Sequence, residues 1–277
     1  MGSENTGCTE GYCNVLGPVK SKNRWTWAAW GKHPTARDYF RAGSNLPLTK
    51  AFSQWVENGY QLLGEERIRT NDFSSWRFWI KGSDKEILAC GIGKDSSDSL
   101  GRSYPLLIMG TGLLEGWQDH WELLPFALEK TWRRIEHLSV HRFASINRFE
   151  DEILSIYPPS AEWSEFALKI RGSEENDSSI RDGWMLLDTP SLQNDTFGRA
   201  EQTAYFVPLT GRSPDHPMTE ICFLLFLLKM RLEDVPNAMF VGGLPEKSYL
   251  VVFTRPLASS DFVRLWSISD EGHFGLT

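Results

Sequence analysis

Two pairs of apolar runs, each joined by a short turn, most constrain how this chain can fold. The first pair is Trp76–Ile80 and Ile87–Ile92, with a Gly-Ser-Asp-Lys turn between them. The second pair is Ala238–Val241 and Tyr249–Thr254, joined by a connection that begins with two glycines. Apolar runs of this length, bounded by turn-forming residues, are typical of buried strands. The pattern therefore predicts two hairpins within a sheet.

The remaining segments alternate between strand and helix patterns. Further strands are predicted at residues 25–30, 104–111, 183–187 and 203–207. Apolar residues recur at helical spacing in residues 47–64, 117–138, 218–232 and 259–266, and two short helices fit residues 143–170. Paired strands interleaved with helices favour a mixed α/β structure, a sheet with helices packed against it, over an all-parallel doubly wound fold.

Several residues are predicted to begin, end or interrupt these helices. Gly64 stands where a C-cap would follow the first helix. Pro125 should kink the 117–138 helix or separate its first turn, because proline lacks the backbone donor and clashes with the preceding turn. Ser160, after two prolines, is a candidate N-cap, and Ser259 or Ser260 is a candidate cap for the last helix.

Composition excludes several classes of protein. The chain has 277 residues and a formal net charge of −7, which argues against binding to a nucleic-acid backbone. Its longest apolar run, Ile221–Leu228, is shorter than the roughly 20 residues that a spanning helix needs, so we expect no membrane insertion. No basic segment followed by an apolar one opens the chain, and the four cysteines are too scattered for a disulfide framework. We therefore expect a reduced, cytoplasmic protein.

Two polar stretches bear on the domain organisation. Residues 1–23 show little apolar periodicity and are predicted to form a mobile amino-terminal arm. Residues 172–179 contain no side chain that would be buried and are predicted to be a solvated loop. The pattern alone leaves open whether this loop divides two domains or two halves of one sheet.

The candidate metal sites are weak. Asp95, Ser97 and Ser99 have the spacing by which one loop offers oxygen ligands to Mg²⁺ or Mn²⁺, but the same composition is ordinary for a solvated loop. His137 and His141 are four residues apart on one helix face without a third ligand. Cys8 and Cys13 lack a second pair to complete a zinc site, whereas Cys90 and Cys222 lie in apolar runs and are predicted to be buried thiols. We predict no metal and no cofactor.

Candidate catalytic groups are equally few. His33 beside Asp38 could act as an acid–base pair, but a loop histidine next to a proline is more often a hydrogen-bonded structural residue. No serine stands in the glycine-flanked turn of a hydrolase nucleophile. We assign no catalytic residue. The Arg37-Asp38 and Gly101-Arg102 pairs favour structural ion pairs or turn-stabilising groups over ligand clamps. An alternative is that Arg37, Asp38 and Arg102 converge at one edge and form a polar docking site for a protein. We include Lys32 in this candidate protein-binding site.

Two segments carry a resemblance to a known family. Residues 30–40, Trp-Gly-Lys-His-Pro-Thr-Ala-Arg-Asp-Tyr-Phe, resemble the opening of the TagF (ImpM) family, in which a Gly-Lys-x-Pro segment runs into Gly-Asp-Phe. Here Arg37 replaces the glycine and Tyr39 replaces the phenylalanine. Residues 98–106, Asp-Ser-Leu-Gly-Arg-Ser-Tyr-Pro-Leu, are similar to the family's Asp-x-Val-Gly-Arg-x-Phe-Pro-Leu segment. The agreement in order and spacing covers residues 25–112, whereas residues 139–235 match weakly.

The resemblance implies a fold and a function. It implies that residues 24–277 are one TagF-like α/β domain, a sheet sandwiched between helices, with an insertion around residues 139–180. It implies a cytoplasmic, virulence-associated regulator without enzymatic activity, usually a repressor of bacterial type VI secretion. Its expected partner is a forkhead-associated-domain scaffold, within a circuit that includes a Ser/Thr kinase and phosphatase. The alternatives are a metal-dependent hydrolase using the Asp95 loop or His33 with Asp38, and a structural subunit of the secretion baseplate.

Overall fold

One antiparallel sheet forms the centre of the computed structural model, which describes residues 25–68, 73–84, 86–174, 204–209 and 217–267. The strands of these residues are β1 Thr26–Gly31, β2 Phe40–Gly43, β3 Ser75–Lys81, β4 Ile87–Lys94, β5 Leu106–Leu113, β6 Ala204–Pro208, β7 Ala238–Leu244 and β8 Lys247–Phe253. Their order across the sheet is β2-β1-β5-β4-β3-β7-β8-β6, and every neighbouring pair is antiparallel. The predicted strand at 183–187 and the arm at 1–23 lie outside the described residues.

The described helices flank the sheet on both sides. They are α1 Pro47–Ile68, α2 Leu124–Val140, α3 Ile146–Leu154, α4 Trp163–Glu174, α5 Pro217–Lys229 and α6 Ser259–Trp266. Helices α2, α3 and α5 contribute to the core on one face, and α1 and α6 to the core on the other. The predicted fold class, a three-layer α/β structure with a sheet between helices, is confirmed.

The burial of both faces explains the composition of the strands. In β3, Trp76 and Phe78 point into the α1–α6 core, whereas Trp79 points into the opposite core, and all three are almost fully buried. Because successive side chains in a strand alternate between faces, a strand covered on both sides carries an almost continuous apolar run. The apolar runs of the two hairpins have this origin.

The helix ends agree with the predictions in part. Gly64 has a φ of 75° and interrupts the regular geometry of α1, as expected of a C-cap glycine. Pro125 lies in the first turn of α2, and a separate 3₁₀ turn, Trp121–Leu123, precedes it. The Ser160 prediction was wrong, because α4 begins only at Trp163.

The cap predicted for the last helix was also wrong. Ser259 is already the first residue of α6, and Ala258 occupies the N-cap position. An alanine side chain cannot accept a hydrogen bond, so the carboxylate of Asp261 accepts the Ala258 backbone N–H at 2.7 Å instead. In α3, by contrast, Ser145 accepts the Arg148 N–H as an N-cap serine does.

The sheet order brings two loops to the same end of the molecule. Strands β1 and β5 are antiparallel neighbours, with Trp30 opposite Leu107, so the end of β1 lies beside the start of β5. Residues 32–39 follow β1, and residues 95–105 precede β5. The two segments that are similar to TagF therefore meet in space.

Candidate functional site

The candidate site is the pair of loops at this end of the sheet, residues 32–39 and 95–105, which we call the two-loop cluster. A backbone hydrogen bond from Ser99 N–H to the Ala36 carbonyl, 2.8 Å long, joins the loops directly. Within the second loop, Ser97 pairs with Ser103 in an isolated β-bridge, and the Tyr104 N–H bonds to the Ser96 carbonyl at 3.0 Å. The loops are therefore held by main-chain contacts as well as by side chains.

Asp98 is the buried anion of the cluster, with 2% of its surface exposed. Its Oδ1 accepts the backbone N–H groups of Leu100 and Arg102, each at 3.0 Å. Its Oδ2 accepts Arg102 Nε at 2.8 Å and lies 3.3 Å from Lys32 Nζ. Burial alone would raise the pKa of Asp98, but these four donors lower it to about 2. Asp98 thus remains ionised and fixes the loop around it.

Arg102 links the two loops. Besides its bond to Asp98, its Nη2 donates to the Arg37 carbonyl at 2.8 Å and lies 3.2 Å from Asp38 Oδ1. The Tyr39 backbone N–H and the Arg102 cation lower the pKa of Asp38, whose side chain is exposed. The structure therefore brings together Lys32, Asp38 and Arg102, with the main chain of Arg37. Arg37, Asp38 and Arg102 thus lie together at this end of the sheet, and their role as a docking site for a protein stays a prediction.

Aromatic side chains lie next to the charged groups. The Tyr104 ring meets the Tyr39 ring edge-on with centroids 5.4 Å apart, and meets the Tyr60 ring at 4.8 Å. Tyr60, from α1, also donates from its hydroxyl to the Ser103 carbonyl at 3.5 Å. Burial and the neighbouring Tyr39 raise the pKa of Tyr104, so the ring remains a neutral phenol. Tyr104 consequently acts as a packing residue between the loops and α1.

His33 lies beneath the cluster and does not pair with Asp38. Its ring is fully buried, its Nδ1 accepts the Thr35 N–H at 3.2 Å, and its Nε2 lies 3.3 Å from the Leu138 carbonyl. The Phe149 ring stacks on it at 4.4 Å. Burial lowers the pKa of His33 to about 4, and the positive charge of Lys94 acts in the same direction. This is the hydrogen-bonded structural histidine that the sequence favoured.

Asp95 is used in the same structural way. Its Oδ2 accepts the Ser74 N–H at 2.8 Å, and its Oδ1 accepts Trp266 Nε1 at 3.0 Å. Both carboxylate oxygens therefore face protein donors. In the part of the chain that the structure describes, no three His, Cys, Asp or Glu side chains are grouped so that they could hold a metal ion.

The other predicted positions are accounted for as follows. The His137 and His141 rings stack at 5.4 Å at the carboxyl end of α2. Cys90 and Cys222 are buried free thiols, as predicted, and burial raises the pKa of each. Cys8 and Cys13 lie outside the described residues.

A groove lies away from the cluster, between α2, the double-proline connection and α4. Its volume is about 610 Å³, and its lining includes Phe126, Lys130, Tyr157 and Lys169. None of the candidate catalytic or metal-binding residues lines it. The groove is therefore separate from the catalytic and metal-binding residues that the sequence suggested.

Sequence reasoning missed the central residue of the cluster. Asp98 was part of the segment similar to TagF but was not assigned a role. The contact between the Tyr60 and Tyr104 rings was not predicted. A local signal for Asp98 was present, because a carboxylate three residues before Gly101 can fold back on the main chain that follows it. Tyr60 had no such signal, since only the tertiary fold brings α1 to Ser103.

Fold and site together define a three-layer α/β protein with a rigid, charged cluster at one end of its sheet. Residues 28–156 match the family described as TagF N-terminal domain, Type VI secretion system-associated. The match spans 129 of the 277 residues, so this part of the chain carries a domain similar to that of the TagF family, which is associated with type VI secretion. The predicted resemblance is thereby confirmed.

Two further comparisons complete the picture. No curated protein matches the chain in sequence. Among solved structures, the chain is similar to one titled as the crystal structure of PA0076 from Pseudomonas aeruginosa PAO1, with 21% identity and a TM-score of 0.38. The likeness covers 48% of this chain and 63% of the length of that one. Separately, no helix in the described ranges combines the length and the apolar character that a bilayer crossing demands.

Proposed function

We propose that this protein is a non-enzymatic, cytoplasmic regulator that represses bacterial type VI secretion after translation. The observation that carries the proposal is the TagF N-terminal domain over residues 28–156. In this proposal the protein acts by binding a component of the secretion apparatus, a forkhead-associated-domain scaffold. The protein–protein contact is made at the two-loop cluster, with Lys32, Arg37, Asp38 and Arg102 as its candidate residues.

The geometry of the cluster supports a binding role. Arg102 and Asp38 are 50% and 67% exposed at the rim, the Lys32 side chain is 13% exposed, and Asp98 beneath them is buried and hydrogen-bonded through both carboxylate oxygens. A surface whose groups are already held in place loses little conformational entropy on association. By contrast, the hydrolase alternative depends on His33 and Asp95, and the polar atoms of both side chains form hydrogen bonds within the protein.

Secretion assays in the native host test this proposal. Deleting the gene should raise the amount of a type VI substrate in the culture supernatant, and overproducing the protein should lower it. Affinity capture with induced type VI secretion should recover the forkhead-associated-domain protein from the soluble fraction. Loss of secretion on deletion, with the protein retained in the assembled apparatus, would instead establish the baseplate-subunit alternative.

A further inference from the structure

One surface beside the buried charges has the composition of a protein-binding site. We call it the Tyr–Arg face. It consists of Tyr39, Tyr104 and Tyr60, whose rings are in contact, of Arg41, which bonds to α1, and of Arg37 and Leu100 in the two loops that the backbone joins. Tyr39 is 42% exposed and Leu100 is 67% exposed, although both are large apolar or aromatic residues. Tyrosine and arginine are enriched among the residues that contribute most to protein–protein affinity.

The exposed arginines of this face differ from the other charges of the cluster. Arg102 is paired with Asp38 and Asp98. Within the described ranges, no carboxylate forms an ion pair with Arg37 or Arg41, and the Arg41 guanidinium makes only a hydrogen bond to Ser53 Oγ, at 3.3 Å. The chain as a whole carries a formal charge of −7. Two exposed cations that form no ion pair with a carboxylate of the described residues, on an acidic protein, favour an acidic partner surface.

The face is rigid as well as exposed. Tyr39, Tyr104 and Tyr60 form a continuous series of ring contacts that connects the first loop to α1. Arg41 stands on β2, paired with Trp30 of β1. Arg37 follows Ala36, whose carbonyl is bonded to Ser99. A partner therefore meets side chains whose backbone positions are already fixed, which reduces the entropic cost of binding.

We infer that the Tyr–Arg face is the contact surface for the regulatory partner and that this partner presents an acidic protein segment. Carboxylates of the segment pair with Arg37 and Arg41, and an apolar side chain packs against Tyr39 and Leu100. Asp98, with the Lys32 and Arg102 side chains bonded to it, fixes the loop beside this face. The inference rests on the proposed function, because it specifies the partner surface at the same site.

Site-specific photocrosslinking of the full chain in host cells tests the inference. Benzoylphenylalanine placed at Leu100 should cross-link to a partner, and mass spectrometry of the joined peptide should show a segment rich in Asp and Glu. Placed at Leu154, which is 58% exposed on α3, the same probe should not give this product. The arginines are unchanged in both proteins, so their contribution can be tested separately.

Charge reversal supplies that second measurement. Arg37→Glu or Arg41→Glu, each combined with the probe at Leu100, should lower the cross-link yield by about tenfold, the effect of losing one important contact. Arg133→Glu is the matched control, because it makes the same charge change on a side chain that is 72% exposed on α2. It should leave the yield unchanged. Melting temperatures identify any variant that has lost its fold.

Each outcome tests either the assignment of the Tyr–Arg face or the proposed function. An absent cross-link from Leu100, a joined peptide without acidic residues, or an unchanged yield in both arginine variants would overturn the inference. If affinity capture still recovers a type VI component in that case, the proposed function stands without this surface. If the cross-linked acidic segment belongs to a protein unrelated to type VI secretion, the surface is correct and the proposed function is wrong.

Discussion

Among single residues, Asp98 decides whether the two-loop cluster exists. Four donors converge on its buried carboxylate, and two of them are backbone N–H groups. We predict that Asp98→Asn lowers the melting temperature and speeds hydrogen exchange at the Leu100 and Arg102 amides, because a neutral amide removes the buried charge that pairs with Lys32 and Arg102 and leaves Arg102 only Asp38. Asp38→Asn, at an exposed side chain, is the control and should change neither quantity appreciably. Equal effects of the two substitutions would show that burial of Asp98 is unimportant.

His33 makes a second prediction, about pH. The pKa of its folded form is about 4, below its ordinary value of 6.5, so the unfolded chain binds the proton more tightly. The free energy of unfolding should therefore be greatest above pH 6.5 and fall as the pH is lowered towards 4, by about 2–3 kcal/mol from this residue. Asp98 titrates mainly below this window, since its folded pKa is about 2.

Urea unfolding at pH 7.5, 6.0, 5.0 and 4.5 (values from above the ordinary pKa of His33 to just above its folded pKa of about 4) measures this effect. His33→Gln is the matched variant, because its amide can still donate a hydrogen bond to the Leu138 carbonyl but does not titrate. The stability difference between the wild type and the variant should shrink, or reverse, as the pH falls. A difference that stays constant from pH 7.5 to 4.5 would mean that His33 is not the source of the pH dependence.

At the level of elements, two glycines show how the loops begin and turn. Gly31, at the end of β1, has a φ of 118°, and a Cβ there would lie 2.0 Å from the Pro105 carbonyl oxygen. Gly101 has a φ of 79°, but no atom lies within 4 Å of the position that its Cβ would occupy. The first position is therefore restricted by both conformation and space, and the second by conformation alone.

This difference predicts that replacement by alanine lowers the free energy of unfolding by unequal amounts at the two positions. Gly101→Ala should destabilise the protein by about 1–2 kcal/mol, the strain of a left-handed alanine. Gly31→Ala should cost more, about 3 kcal/mol or above, because β1 and β5 must also move apart. Chemical denaturation of the two variants beside the wild type gives both values. Similar costs would indicate that the contact between β1 and the start of β5 yields easily.

The same elements show what the sequence could predict. The hairpins and α2 were predictable, because buried strands and amphipathic helices leave apolar patterns that depend only on nearby residues. Ser160 and Ser259 were poor guides to helix starts, because a capping serine is chosen by local geometry that the pattern does not contain. The order of the strands was not predictable either: β7 lies beside β3 although about 160 residues separate them along the chain.

The candidate site divides in the same way. Arg37, Asp38 and Arg102 could be proposed to converge because two glycine-containing segments with charges stood out in the sequence. The role of Asp98 depends on a loop geometry that buries its carboxylate, and the role of Tyr60 depends on the packing of α1 over the loops. Charged residues can be read directly from a sequence, whereas the burial of one of them depends on the tertiary fold.

At the scale of the whole molecule, the part that matches TagF supplies only the strands of one half of the sheet, from β2 at the edge to β3. Residues 28–156 contain β2 to β5 and most of β1, but β3 pairs on its other edge with β7. Helix α6 packs on α1 through Phe262, whose ring lies 5.5 Å from that of Trp55. Trp266 of the same helix donates to Asp95, at the start of the second loop of the cluster. The carboxyl-terminal strands and helix thus complete both the core and the site.

This arrangement predicts that residues 25–156 do not fold by themselves. Without β7 the edge of β3 has unpaired backbone groups, and without α5 and α6 apolar side chains on both faces of the sheet meet water. The isolated fragment should bind a hydrophobic dye and melt without a cooperative transition, whereas the full chain should unfold in one transition. Adding residues 157–277 in trans should reduce dye binding if the missing elements are the cause. A fragment that unfolds cooperatively, with the near-ultraviolet spectrum of the full chain in its own tryptophans, would make the TagF-matching segment an independent domain and would contradict a single domain over residues 24–277.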